Sequence, residues 1–148
     1  MKTSLIVGMG IGKLYEQVLG ELGHGIITVD LDSSKGADFL TVDDAIKECQ
    51  IFDIAHICTP NFTHLEIARK LAPVTRIIFV EKPGVSTSSE WEQLVKDFPK
   101  TRFMMVKNNQ YRTEIKRFKE LADQSERVFL RWNNVNRIPH PGSWFTTK

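Results

Sequence analysis

Ser4-Leu5-Ile6-Val7-Gly8-Met9-Gly10-Ile11-Gly12-Lys13-Leu14 reads as strand, glycine turn and helix in immediate succession. The run Ser4 to Gly8 is apolar, short and stopped by glycine, as a buried strand is. From Lys13 to Leu22, Leu14, Val18, Leu19 and Leu22 recur at helical spacing, and Gly23 follows where a helix would close. Between them Gly8, Gly10 and Gly12 allow a tight turn and let a backbone approach an anion at the N-terminus of the next helix, where N–H groups and the helix dipole favour negative charge. The usual dinucleotide fingerprint places its third glycine three residues beyond the second. Here Gly12 comes two beyond Gly10, with Lys13 in the usual position, so the loop is one residue short or shifted.

The rest of the chain repeats the alternation of strand and helix. Strands are expected at Ile26–Asp30, Ile54–Cys58, Arg76–Glu81 and Arg102–Val106, and helices from Thr41 to about Cys49, from Thr63 to Pro73, after Thr87, and over Thr113–Ala122. Thr41-Val42-Asp43-Asp44, Thr63-His64-Leu65-Glu66 and Thr87-Ser88-Ser89-Glu90 carry capping-box spacing. The helix after Thr87 offers Trp91, Leu94, Val95 and Phe98 as its apolar face, and the last helix offers Ile115, Phe118 and Leu121. The pattern predicts an α/β fold of Rossmann type, a doubly wound and mostly parallel sheet over residues 1–122. After Ala122 the character changes. Arg127 to Asn136 alternates, with Val128, Leu130 and Trp132 on one face, as a half-buried antiparallel strand does. The expectation for 123–148 is the first strand of an incomplete second domain, with an apolar edge that favours self-association into a two-fold dimer.

A chain of 148 residues with 41% hydrophobic and 26% charged residues and a net charge of +2 has ordinary globular composition. It has no basic run for nucleic acid and no apolar stretch approaching the ~18 residues of a membrane span. Cys49 and Cys58 have neither metal-ligand spacing nor a secretory context, so they read as buried thiols of a cytoplasmic protein that needs no metal.

Asp30 ends the second strand, 20 residues after Gly10, where a carboxylate can accept hydrogen bonds from the adenosine ribose. Its charge disfavours a 2′-phosphate, so NAD is expected over NADP. Asp32 is a competing acid that reads better as a solvated turn residue, and Ser33, Ser34 and Lys35 keep NADP possible. The glycine spacing also fits a class I S-adenosylmethionine-dependent methyltransferase. Against it, Ile6 stands where those enzymes carry an acid, and Thr59-Pro60-Asn61 stands where they carry an acidic-to-Pro-aromatic motif.

The order of glycine turn, Asp30, Thr59-Pro60-Asn61 with His64, Glu81-Lys82-Pro83 and Asn109-Gln110-Tyr111-Arg112 resembles the glucose–fructose oxidoreductase / inositol dehydrogenase (Gfo/Idh/MocA) family. Ile11-Gly12 through Tyr15 and Leu19 is similar to that family's I-G-x-x-H-x-x-x-L, with Tyr15 in place of the His. The resemblance extends over roughly residues 4–147, including Gly142-Ser143-Trp144-Phe145, and Glu81-Lys82-Pro83 is its most diagnostic part. It implies a Rossmann domain followed by an antiparallel-sheet domain, and hydride transfer between nicotinamide and a hydroxyl-bearing carbon of a sugar or cyclitol.

By this resemblance Gly8, Gly10, Ile11, Gly12 and Asp30 hold the cofactor, and Thr59, Pro60 and Asn61 line it. His64 caps the following helix or touches the cofactor, and Glu81 approaches the nicotinamide ribose. Lys82 would be the catalytic residue, its ammonium stabilising charge on the reacting oxygen. Family members add an Asp and a His four residues apart in their second part. This chain ends before such a pair, and His140 between Pro139 and Pro141 is not in that context. The expectation is therefore intact cofactor binding with catalysis in question, the alternative being a non-catalytic dinucleotide-binding regulatory module.

Overall fold

The computed structural model describes residues 2–129. These fall into two units, one Met1–Val106 and the other beginning at Lys107. The first holds β1 (Thr3–Val7), α1 (Gly12–Glu21), β2 (Gly25–Val29), α2 (Val42–Cys49), β3 (Phe52–Ile57), α3 (His64–Leu71), β4 (Thr75–Val80), α4 (Ser88–Asp97) and β5 (Arg102–Met105). Its five strands form one sheet in the order β2-β1-β3-β4-β5, and every pairing is parallel. This is the expected Rossmann-type α/β fold, wholly parallel among the described strands. The second unit begins with a 3-10 turn, Asn108–Tyr111, followed by α5 (Thr113–Ala122).

Alternate residues of β1 enter different cores, as the two-residue strand period requires. Leu5 and Val7 join the larger cluster, which takes Val42 and Ala45 from α2, Ala68 and Leu71 from α3, and Leu94 from α4. Ile6 joins a smaller one with Met9 and Leu19, against which Tyr15, Ile26, Ala37 and Cys58 pack. Helices therefore cover both faces, which is why these strands read as continuously apolar.

Three details differ from the sequence reading. On α1, Leu14 and Val18 are exposed, as is Leu22 just beyond it, and only Gly12 and Leu19 are buried, so the helix meets the sheet through Gly12 and Leu19 and not through the whole stripe. No residue of α5 is buried, and Leu121 is exposed where an inward position was expected. Both cysteines are free and half-buried rather than buried. The expected strand 127–136 lies, beyond Phe129, outside the described residues, as does the edge on which self-association was expected. Among the described residues no helix is long and apolar enough to cross a membrane.

A histidine lies among the buried residues of this sheet. His56 of β3 is buried between Tyr15 (ring centroids 5.0 Å apart) and Phe79 (5.1 Å, stacked), and neither ring nitrogen has a hydrogen-bond partner. Burial, reinforced by nearby His24, pushes its pKa down to about 4 from 6.5. The unfolded chain thus takes up a proton below pH 6.5 that the folded chain refuses. Stability present above pH 6.5 is lost as the pH falls toward 4, by about 3 kcal/mol in all. Urea unfolding of wild type and His56→Phe across this window checks the assignment. The variant should show a flatter pH dependence, and identical curves would contradict it.

Candidate functional site

The sheet brings the expected residues to one edge. Register aligns Val29, Val7, Ile57, Val80 and Met105 in a row across all five strands. The next residues continue the ladder: Gly8 N donates to Val29 O (2.8 Å), Cys58 N to Val7 O (2.7 Å), Glu81 N to Ile57 O (3.0 Å) and Val106 N to Val80 O (2.8 Å). Asp30, Gly8, Cys58-Thr59 and Glu81 therefore emerge side by side at the carboxyl ends of the strands. The chain leaves β1 for β2 on one side and returns to β3 on the other, so the topological switch point, outside which ligands of such sheets bind, lies at the ends of β1 and β3, beside Gly8 and Thr59.

The three glycines have three different reasons. Gly8 has φ +94°, and a Cβ there would lie 2.9 Å from both the carbonyl carbon and oxygen of Cys58. At Gly12 a Cβ would lie 2.8 Å from Ile6 Cγ2, so glycine sets the close approach of α1 to β1. Gly10 is exposed, its φ lies outside the left-handed range, and a Cβ would meet nothing within 4 Å. The protein itself does not require glycine at that position. In the shorter loop Gly8 makes the tight turn and Gly12 performs the helix-packing role of the usual third glycine.

Asp30 pins this loop to the end of β2. Its Oδ2 accepts from Met9 N (2.6 Å) and its Oδ1 from Asp32 N (2.9 Å). Asp32 is engaged locally, its Oδ1 accepting from Ser34 N (3.0 Å) and Ser34 Oγ (2.6 Å) at the start of a 3-10 turn. Those bonds hold its carboxyl below the usual range. Of the two acids, Asp30 belongs to the crevice and Asp32 to its own turn.

Beyond β3, Asn61–Thr63 forms a 3-10 turn that runs into α3. The capping box expected at Thr63 is not formed. Thr63 has helical backbone angles, and its hydroxyl turns back to lie 2.7 Å from both Thr59 Oγ1 and Pro60 O. At Thr87, by contrast, both halves of the capping box are present. His64 does not cap α3 either. Its ring is 1% exposed, with Nε2 2.8 Å from Thr59 O and Nδ1 3.1 and 3.0 Å from Pro83 O and Gly84 O. Those oxygens only accept, so any hydrogen bond here takes its proton from the ring; a neutral imidazole donates to one side at a time, and the ring packs between the turn after β3 and the one after β4.

Glu81, half-buried, and Lys82, exposed, follow β4, with a cis peptide between Lys82 and Pro83. Glu81 Oε1 accepts from Tyr15 Oη (2.7 Å) and its Oε2 from Lys82 N (3.1 Å). Burial pushes the neighbouring Cys58 thiol up to about 12, with Glu81 adding to the shift, so it stays a neutral packing group. Sequence reading gave no role to Tyr15 beyond its substitution, nor to His56. The spacing of Tyr15 from Gly12 and the place of a histidine in an apolar strand were the available signals. Among the described residues no three His, Cys, Asp or Glu side chains are grouped to hold a metal ion.

A wholly parallel sheet with glycine turn, switch-point crevice and helix N-terminus defines a Rossmann-type dinucleotide-binding domain. The chain belongs to the Gfo/Idh/MocA oxidoreductase family: the family model described as an oxidoreductase family with NAD-binding Rossmann fold matches residues 29–108. That membership sets aside the methyltransferase alternative. Similar solved structures include the WlbA dehydrogenase of Chromobacterium violaceum in complex with NADH and UDP-GlcNAcA (20% identity, TM-score 0.73, 83% of this chain and 40% of that one). GenD2 from gentamicin A biosynthesis, in complex with NAD, is 25% identical (TM-score 0.70, 82% and 38%). A protein named as a UDP-kanosamine synthase oxidoreductase subunit, from Amycolatopsis mediterranei, is 26% identical over 100 residues, 65% of this chain and 28% of that protein. The chain thus spans well under half the length of these relatives.

The glycine geometry yields a paired expectation. Gly8→Ala should lower folding stability by about 2 kcal/mol or more through its left-handed backbone and the contact with Cys58, whereas Gly10→Ala should leave it unchanged. Thermal or urea unfolding of the two variants measures this, and equal losses would contradict the assignment of roles.

Proposed function

We propose that the chain holds NAD(H), in preference to NADP(H), across the crevice between β1 and β3. It serves hydride transfer between the nicotinamide and a hydroxyl-bearing carbon of a sugar- or cyclitol-like substrate. The observation that carries the cofactor half is Gly10: a glycine that its own fold does not need, exposed at the N-terminus of α1, leaves room for a pyrophosphate to approach the backbone. In this reading Gly8, Gly10, Ile11 and Gly12 hold the pyrophosphate, and Asp30 accepts from the adenosine ribose. Thr59, Pro60 and Asn61 line the cofactor, and Glu81 accepts from the nicotinamide ribose. His64, buried and occupied by three carbonyls, acts by holding two loops together rather than by touching the cofactor.

The nicotinamide supplies or takes the hydride. Lys82 follows Glu81 at the same sheet edge, and its side chain is the cation proposed to stabilise charge on the substrate oxygen. The substrate class rests on the relatives: the solved WlbA holds UDP-GlcNAcA, and a myo-inositol 2-dehydrogenase from Lactobacillus plantarum shares the fold at TM-score 0.71.

Two experiments test the reading. Fluorescence titration should give tighter binding of NADH than of NADPH, with Asp30→Ser narrowing the gap and Gly10→Ala weakening both. Tighter NADPH binding by the wild type would overturn the preference. Where turnover is measured on a panel of UDP-sugars and inositols, Lys82→Ala should lower its rate by roughly 10²–10³-fold with little change in NADH affinity. Undiminished turnover in that variant would remove Lys82 from the chemistry.

A further inference from the structure

We propose that Tyr15 is the positioning residue of the nicotinamide half of the site, fixing the Glu81 carboxylate from the first helix through its hydroxyl. The inference rests on the cofactor reading above and concerns a residue to which that reading gives no part. Tyr15 Oη donates to Glu81 Oε1 at 2.7 Å, while the other carboxylate oxygen accepts from Lys82 N at 3.1 Å. One side-chain donor and one backbone donor thus orient Glu81, leaving its remaining lone pairs for a ligand hydroxyl. The same carboxylate fixes the backbone from which the Lys82 side chain departs.

The phenol is itself held. Its ring lies 5.0 Å from the His56 ring, tilted by 33°, and His56 stacks on Phe79 at 5.1 Å and 7°. Phe79 precedes Glu81 by two residues on β4 and its immediate continuation, so the column Tyr15–His56–Phe79 spans α1, β3 and β4 and returns to the strand that carries the carboxylate. A shift of Tyr15 would therefore disturb buried ring contacts as well as one hydrogen bond. Burial and the adjacent Glu81 push the Tyr15 hydroxyl above its ordinary range, so it stays a neutral donor across the physiological range. Tyr15 lies within the first turn of α1, three residues after Gly12. It therefore joins the end of the site proposed for the pyrophosphate to the end proposed for the nicotinamide.

The test separates the two ends of the dinucleotide. Binding of NADH and of ADP, which lacks the nicotinamide ribose, is measured for the wild type, Tyr15→Phe, Glu81→Gln and the double variant. Tyr15→Phe keeps the ring column and removes only the hydroxyl. It should weaken NADH by about tenfold while leaving ADP unchanged. The double variant should bind NADH no more weakly than Glu81→Gln alone, because Tyr15 acts through that carboxylate. Unchanged NADH affinity in Tyr15→Phe, equal losses for NADH and ADP, or additive losses in the double variant would each overturn the inference. A wild type that binds ADP but shows no saturable NADH signal is a different result. It would overturn the cofactor reading, and the role of Tyr15 with it.

Discussion

At the end of β1 the backbone passes so close to β3 that no side chain fits between them. A Cβ on Gly8 would lie 2.9 Å from the Cys58 carbonyl group and 3.0 Å from Thr59 Cγ2. That approach has two consequences for the rest of the site. It continues the parallel ladder one residue past the strands, through Gly8 N to Val29 O and Cys58 N to Val7 O, so the ends of β2, β1 and β3 stay level. It also turns the chain with φ +94°, which sends the next three residues over the sheet edge and into α1. The helix lands close enough to the sheet that Gly12 too must lack a side chain. Steric exclusion at two glycines fixes where the third one is presented.

Polar groups then tie the loops at this edge to one another. Asp30 holds the glycine turn to β2, His64 holds the turn after β3 to the one after β4, and Tyr15 holds α1 to Glu81. Most of these contacts join elements far apart in sequence, and each engages a group at least half-buried. Loops carrying a binding site are the segments with least packing of their own. Here specific hydrogen bonds supply the order that side-chain packing supplies within the sheet. Placement of a site to within a fraction of an ångström depends on such supporting contacts as much as on the residues that face the ligand.

The sheet was legible because its signal is dense: strands buried on both faces read as apolar runs between glycine and proline, and all five lie within two residues of their expected bounds. The positions of Gly8, Asp30, Thr59 and Glu81 were legible for a related reason, since the end of each strand marks a place on one edge. What sequence could not give was the use each side chain makes of its neighbours. Of the apolar stripe of α1 only Leu19 reaches the core, and Gly12 sets how closely the helix lies on the sheet. Thr63 carries capping spacing but has helical backbone angles that leave no extended cap. His64 has the position of a cofactor contact and the environment of a core residue. These outcomes depend on contacts of individual atoms, some between neighbouring turns and some, as from His64 to Pro83 and Gly84, between distant segments, which periodicity does not encode.

The aromatic column under Glu81 shows how the two cores of the sheet divide their tasks. The larger cluster, under α2, α3 and α4, has fourteen buried apolar residues. The smaller one, under α1, has only three buried apolar residues, and beside it the sheet accommodates His56, with no hydrogen-bond partner, and Tyr15, whose hydroxyl is spent on Glu81. A buried imidazole without partners costs folding free energy, as its pKa near 4 records, and an apolar ring would avoid that cost. Its flat ring nevertheless fills the gap between Tyr15 and Phe79 at stacking distance on both sides. Stability is thus concentrated on one face of the sheet. The other face, which carries the glycine turn and the hydroxyl that orients Glu81, tolerates the polar groups that binding needs.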